Sequence, residues 1–101
     1  MKIDIQPTDI ELQSTDLEQI HRKLNLAMSR MEPLISKISM HLSNVIDSNH
    51  GNEKYCRLKI TLAHLPDEII IDETQTDLAF AIDRVVQKAC RIMSRKLDND
   101  K

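Results

Sequence analysis

The chain has 101 residues, 41% of them hydrophobic and 30% charged, which suits one soluble domain with a single modest core. A formal net charge of −2 excludes a globally basic nucleic-acid binder, so any such role must come from charge asymmetry. The single glycine excludes a Gly-rich phosphate loop, and with only two aromatics, Tyr55 and Phe80, the core must be aliphatic with Met as filler.

Lys2 to Gln6 alternates, with Ile3 and Ile5 on one face and Pro7 closing the run, and this reads as a short strand. Ile10 and Leu12 continue it as an irregular extended piece. Thr15 and Glu18 then have the spacing of a capping box. Leu17, Ile20, Leu24, Ala27, Met28 and Met31 follow at helical spacing, and Pro33 stops the run. The outer side of this helix carries Arg22, Lys23 and Arg30, with Leu26 exposed between them. His21 borders the apolar side and reads as a half-buried packing residue.

From Ile35 the period changes to two. Ile38, Met40 and Leu42 alternate with Lys37, Ser39, His41 and Ser43, the pattern of a strand with one wet face. Asp47-Ser48-Asn49-His50-Gly51-Asn52 is the strongest turn signal in the chain. Cys56, Leu58, Ile60 and Leu62 then alternate with Tyr55, Arg57, Lys59 and Thr61, which predicts the second arm of a hairpin. Leu65-Pro66-Asp67 is a further turn, and Glu68 to Thr74 is a short strand.

The last element, Asp77 to Leu97, is the most informative. Leu78, Ile82, Val85, Val86, Ala89, Ile92 and Met93 make one apolar face. Arg84, Lys88, Arg91 and Arg95 lie opposite, at i, i+4, i+7 and i+11, within a strip roughly 60° wide at 100° per residue. Thr74, Thr76 and Asp77 are candidate caps, and the basic last turn suits the helix dipole. Charged helix faces are usually just solvated. This row, however, contains no acid, so pairing within the helix is mostly unavailable, although Asp83 lies beside it.

The order is strand, helix, strand, strand, strand, helix. A crossover after the first strand makes strands one and two parallel. Each helix and each long strand has one apolar face, and the economical solution is a two-layer α+β domain. Its four-stranded sheet carries both helices on one face. Residues 1–97 form this domain, and Asp98 to Lys101 is expected to be a short disordered tail.

Little points to chemistry. His21, His41, His50 and His64 are scattered and supply no tetrahedral ligand set, so no metal and no cofactor is expected. Serines and threonines sit at caps, in turns or on a wet sheet face, where structural roles suffice. Asp67, Glu68, Asp72 and Glu73 form an acidic patch, read as a solubilising strand end. Cys56 and Cys90 have no ligand spacing and read as reduced, buried or half-buried thiols. The acids in MKIDIQPTDIEL exclude the apolar core of a signal peptide, and no apolar run approaches the ~20 residues of a membrane span. The reading is a cytoplasmic non-enzyme with a binding surface. That surface is Arg84, Lys88, Arg91, Arg95 and Lys96 of the last helix with Arg22, Lys23 and Arg30 of the first. Side by side they make a basic platform suited to structured RNA, which is recognised by shape and backbone.

The element order, together with DLAFAIDRVVQKACRIMSRKL, resembles the hibernation-promoting factor / ribosome-associated translation inhibitor family, whose members carry an acidic residue, a YAAID segment and a helix with Lys and Arg at similar intervals. The matching positions are Asp77, Ala81, Ile82, Asp83, Lys88 and Arg91, then Arg95-Lys96. The resemblance also takes in the opening strand, the helix from Thr15 and the hairpin from Ile38 to Leu62. Phe80 departs from it by replacing a small residue, and Leu78-Ala79 stand where an aromatic is common. The resemblance implies a ribosome hibernation protein of stationary phase or stress, of the short form without a further C-terminal domain. It implies that the partner is the small ribosomal subunit and its ribosomal RNA. Basic helix residues would occupy the decoding region, in the channel of messenger and transfer RNA, and so inhibit translation. On that basis Lys88, Arg91, Arg95 and Lys96 are the first candidates for ribosomal RNA contacts, and Arg22, Lys23 and Arg30 the second. No membrane and no small-molecule substrate is expected, and a monomer is the default.

The alternative is a protein–protein interaction module that uses the sheet face or an edge strand, with Arg57, Lys59 and Ile70 as its residues. A small ligand-binding protein is a third possibility, and it would need a polar pocket that the sequence does not announce.

Overall fold

The computed structural model describes residues 1–47 and 51–99. In chain order it contains β1 (Lys2–Pro7), α1 (Ser14–Met28), β2 (Ile35–Asp47), β3 (Gly51–Leu62), β4 (Glu68–Gln75) and α2 (Leu78–Asn99). The strands lie side by side in the order β1-β2-β3-β4. β1 is parallel to β2, with Ile3 opposite Ile38 and Ile5 opposite Met40. β2–β3 and β3–β4 are antiparallel. The architecture is the expected α+β one. Of the expected hairpin turn, Ser48, Asn49 and His50 lie outside the described residues, as do Asp100 and Lys101 of the expected tail.

Period-2 alternation decides which side of the sheet is dry. Ile38, Met40 and Leu42 of β2, Cys56, Leu58, Ile60 and Leu62 of β3, and Ile69 and Ile71 of β4 are all buried. They meet Ile20, Leu24 and Met28 of α1 and Ala81, Ile82, Val85, Val86, Ala89 and Met93 of α2 in one cluster. Both helices therefore cover the same face, and the other face is open. No charged or polar residue is among the buried ones described.

Three boundaries differ from the sequence reading. The chain enters α1 early: Gln13 is the N-cap, extended at φ −81° and ψ 165°, and its N–H donates to the Asp16 carboxylate at 3.0 Å. Thr15 thus already sits in the first turn, and Asp16 closes the cap in place of the expected Thr15 and Glu18 pair. The run to Met31 is not one helix. α1 stops at Met28, and Ser29–Leu34 tightens into a 3-10 turn that contains Pro33 and buries Met31. α2 continues through Asp98 to Asn99, into residues expected to fray.

The two helices run parallel. Lys23 bonds Asp83, the Cys90 thiol donates to the Ala27 carbonyl at 3.6 Å, and Arg30 shares a groove with Ser94. The partners advance together along both helices. This follows from topology, since α1 and α2 each return from a strand running in the same direction. No described helix is long and apolar enough to cross a membrane.

Candidate nucleic-acid interface

The eight expected contact residues separate into three groups. Arg22 on α1, Arg30 in the 3-10 turn that follows it, and Arg91 and Arg95 on α2 are exposed and make no ion pair among the described residues. Because the helices are parallel, Arg30 lies beside the same half of α2 that carries Arg91 and Arg95.

The second group is already neutralised. Glu73 of β4 bonds the Lys88 ammonium at 2.5 Å and the Arg84 Nε at 3.7 Å. The Gln75 amide also donates to it, at 2.6 Å, and the Glu73 side chain is only 9% exposed. The Lys88 bond, followed by that of Gln75, holds the Glu73 carboxyl below the usual glutamate range. Lys23 is likewise bonded to Asp83. The absence of an acid within the basic row is thus correct for the helix and incomplete for the fold, because the neighbouring strand supplies one.

Lys96 forms the third group. One residue past Arg95 rotates the side chain by about 100°, and Lys96 lines a small cavity with Leu34, Leu62, His64, Leu65 and Met93. It stands apart from Arg91 and Arg95.

The acidic patch read from the sequence is dismantled by the pleat. Asp72 and Glu73 are adjacent in β4 and so point to opposite faces. Glu73 faces the helices. Asp72 faces the open side, where Arg57 Nε donates to it at 2.7 Å and the Tyr55 hydroxyl at 2.5 Å. Those bonds, that of Arg57 first, hold its carboxyl below the usual range. The Arg57 guanidinium also lies 5.9 Å from the Tyr55 ring centroid. Lys59 pairs with Glu68 at 3.4 Å. The open sheet face is therefore closely charge-balanced, and Ile70 is exposed upon it.

Leu26 is 73% exposed between Arg22 and Arg30, as its place on the outer side of the first helix predicts. Two features were not anticipated from sequence. Phe80, one of two aromatics, is 49% exposed on the outer face of α2. A cavity of about 260 Å³ also opens between the N-terminal halves of the helices, with Leu12, Ile20, Leu78 and Ile82 on its wall beside Asp16 and Lys23. Among the described residues no group of His, Cys, Asp or Glu is arranged to hold a metal ion. Cys56 is buried and Cys90 half-buried, both as free thiols.

No family model matches the sequence, and no curated protein matches it. Solved structures do. A ribosomal subunit interface protein from Coxiella burnetii superposes with a TM-score of 0.78 at 16% identity, covering 97% of this chain and 99% of that one. The Protein Y N-terminal domain of Thermus thermophilus gives a TM-score of 0.68 at 16% identity, covering 94% of this chain and 98% of that one. At such identity the likeness speaks for the backbone and not for the surface. The chain has the fold of these two proteins over nearly its whole length.

Proposed function

We propose that the chain is a member of the hibernation-promoting factor / ribosome-associated inhibitor family and binds the small ribosomal subunit. On this reading the outer faces of α1 and α2 lie against ribosomal RNA of the decoding region and exclude messenger and transfer RNA. The action is steric, needs no catalysis or cofactor, and takes place in the cytoplasm, with the protein acting as a monomer. The observation that carries it is the parallel pair of helices, which sets Arg30 beside Arg91 and Arg95 with no acid bonded to any of them among the described residues. Support also comes from the shared fold, since one of the proteins that has it is described as a ribosomal subunit interface protein. Arg91, Arg95 and Arg30 are the principal phosphate contacts, with Arg22 beside them. Arg84, Lys88 and Lys23 contribute only as far as Glu73 and Asp83 release them.

The test is sedimentation of the purified chain with small subunits at two salt concentrations. Binding that weakens steeply with salt is expected, because phosphate contacts release counterions. Failure to co-sediment at low salt removes the reading. The protein-module alternative has the exposed Ile70 in its favour, but the cations around it, Arg57 and Lys59, are already paired.

A further inference from the structure

Phe80 is a large apolar side chain on the outer side of α2, the helix that also carries Arg91 and Arg95. It lies one turn before Arg84 on the same side of α2, and about 16 Å before Arg91 at 1.5 Å per residue. Hydrophobic burial does not explain it, since the ring is 49% exposed while its neighbours Ala81 and Ile82 fill the core. Nor, among the described residues, does a cation lie over the ring. An arginine one turn on could lie across the ring, but Glu73 draws the Arg84 guanidinium toward β4 at 3.7 Å, and its Nη1 reaches Gln87 at 3.5 Å. Among the described residues the one arginine stacked on a ring is Arg57 over Tyr55, on the opposite face of the sheet.

The charges around Phe80 separate two kinds of contact. Asp77 is exposed one turn before it, Asp83 one turn after is bonded to Lys23, and Arg84 is held by Glu73, so among the described residues no unpaired cation stands beside the ring to hold a phosphate. Arg91 and Arg95, further along, favour one. A π-face set apart from the phosphate contacts on one helix suits the face of a nucleobase, because every base can stack on an aromatic ring whatever its sequence.

Resting on the RNA-binding reading above, we infer that Phe80 is a nucleobase-stacking site: it receives an unpaired base of the RNA whose backbone lies on Arg91 and Arg95. Leu26, the exposed apolar residue of α1, has no π-face and takes no such role.

The chain contains no Trp, so Phe80→Trp places a single fluorophore at the site. Phe80→Ala and Phe80→Leu are expected to weaken small-subunit binding by roughly tenfold or more, while Phe80→Trp retains it. Indole emission of Phe80→Trp is expected to be quenched by subunits and by a single-stranded oligoadenylate, but not by inorganic polyphosphate, which has charge and no bases. Wild-type affinity in Phe80→Leu, or emission unchanged by saturating subunits, overturns the inference. Failure of the ribosome reading looks different, because wild-type chain then does not sediment with subunits. In that event the oligoadenylate titration decides alone: quenching that polyphosphate does not reproduce supports stacking, and its absence overturns it. Circular dichroism of each variant checks that folding is intact.

Discussion

Glu73 of β4 and Lys88 of α2 meet at 2.5 Å across the seam between sheet and helix, and Arg84 joins them at 3.7 Å. The bond draws two cations away from the outer face of α2. Glu73→Gln is therefore expected to strengthen RNA binding several-fold and to steepen its salt dependence, as measured by sedimentation. The same substitution should cost about 1 kcal/mol of stability, since Lys88 and Arg84 stay partly hydrated. Unchanged binding would mean that Lys88 and Arg84 serve only the fold.

The pH dependence has a definite sign. The carboxyls of Glu73 and Asp72 are held below their ordinary ranges by bonds to Lys88 and Arg57 respectively. A lowered carboxylate contributes stability that is fully present above its unfolded value and is lost as pH falls through its folded value. Urea midpoints should therefore decline on acidification below the ordinary carboxylate range. The Asp72→Asn, Glu73→Gln double variant should show a shallower decline. An equally steep one would assign the acid sensitivity elsewhere.

Replacing Arg91 and Arg95 by Glu is expected to abolish sedimentation with small subunits at moderate salt and to leave the urea midpoint nearly unchanged. Neutral replacements by Gln should lower the slope of log affinity against log salt by roughly 0.7–0.9 per lost phosphate contact. Arg57→Ala with Lys59→Ala, on the open sheet face, should leave binding unaltered. The opposite pattern would favour the sheet-face module.

The thiols should differ in reactivity. Cys56 is fully buried and its thiol is pushed up to about 12, by burial first and then by Asp72 and Glu73. Cys90 is half-buried and raised by burial alone. At pH 8 a thiol reagent should label Cys90 slowly and Cys56 only in urea. Rapid native labelling of Cys56 would contradict the packing of β3.

Leu58 is 0% exposed at the centre of β3, between Met40 of β2 and Ile71 of β4. Leu58→Ala should cost about 2–5 kcal/mol, a large share of the stability of a small domain, seen as a lower urea midpoint. Leu26→Ala, at an exposed site, should stay within about 0.5 kcal/mol.

Whatever depends on neighbours along the chain was legible in the residues. The switch of period at Ile35 marks the change from helix to strand, and the apolar face from Leu78 to Met93 places α2 on a core. Two single-faced helices and a single-faced sheet leave one economical layering, so the α+β architecture follows from pattern. The start of α1 did not, because Asp16 and Thr15 both have capping chemistry and only the path of the entering chain selects between them.

Pairings across the fold were not legible. Lys88 lies 15 residues from Glu73 and Lys23 lies 60 from Asp83, and side-chain periodicity holds no information at those separations. Sequence determined that α2 has a basic face and that β4 is acidic. Only the tertiary structure decided which of those charges cancel. It set β4 beside α2 and turned Glu73 inward and Asp72 outward, because successive strand residues face opposite ways. Of the expected contact residues, that left Arg22, Arg30, Arg91 and Arg95 exposed with no acid bonded to them among the described residues, and Phe80 uncovered at the other end of α2.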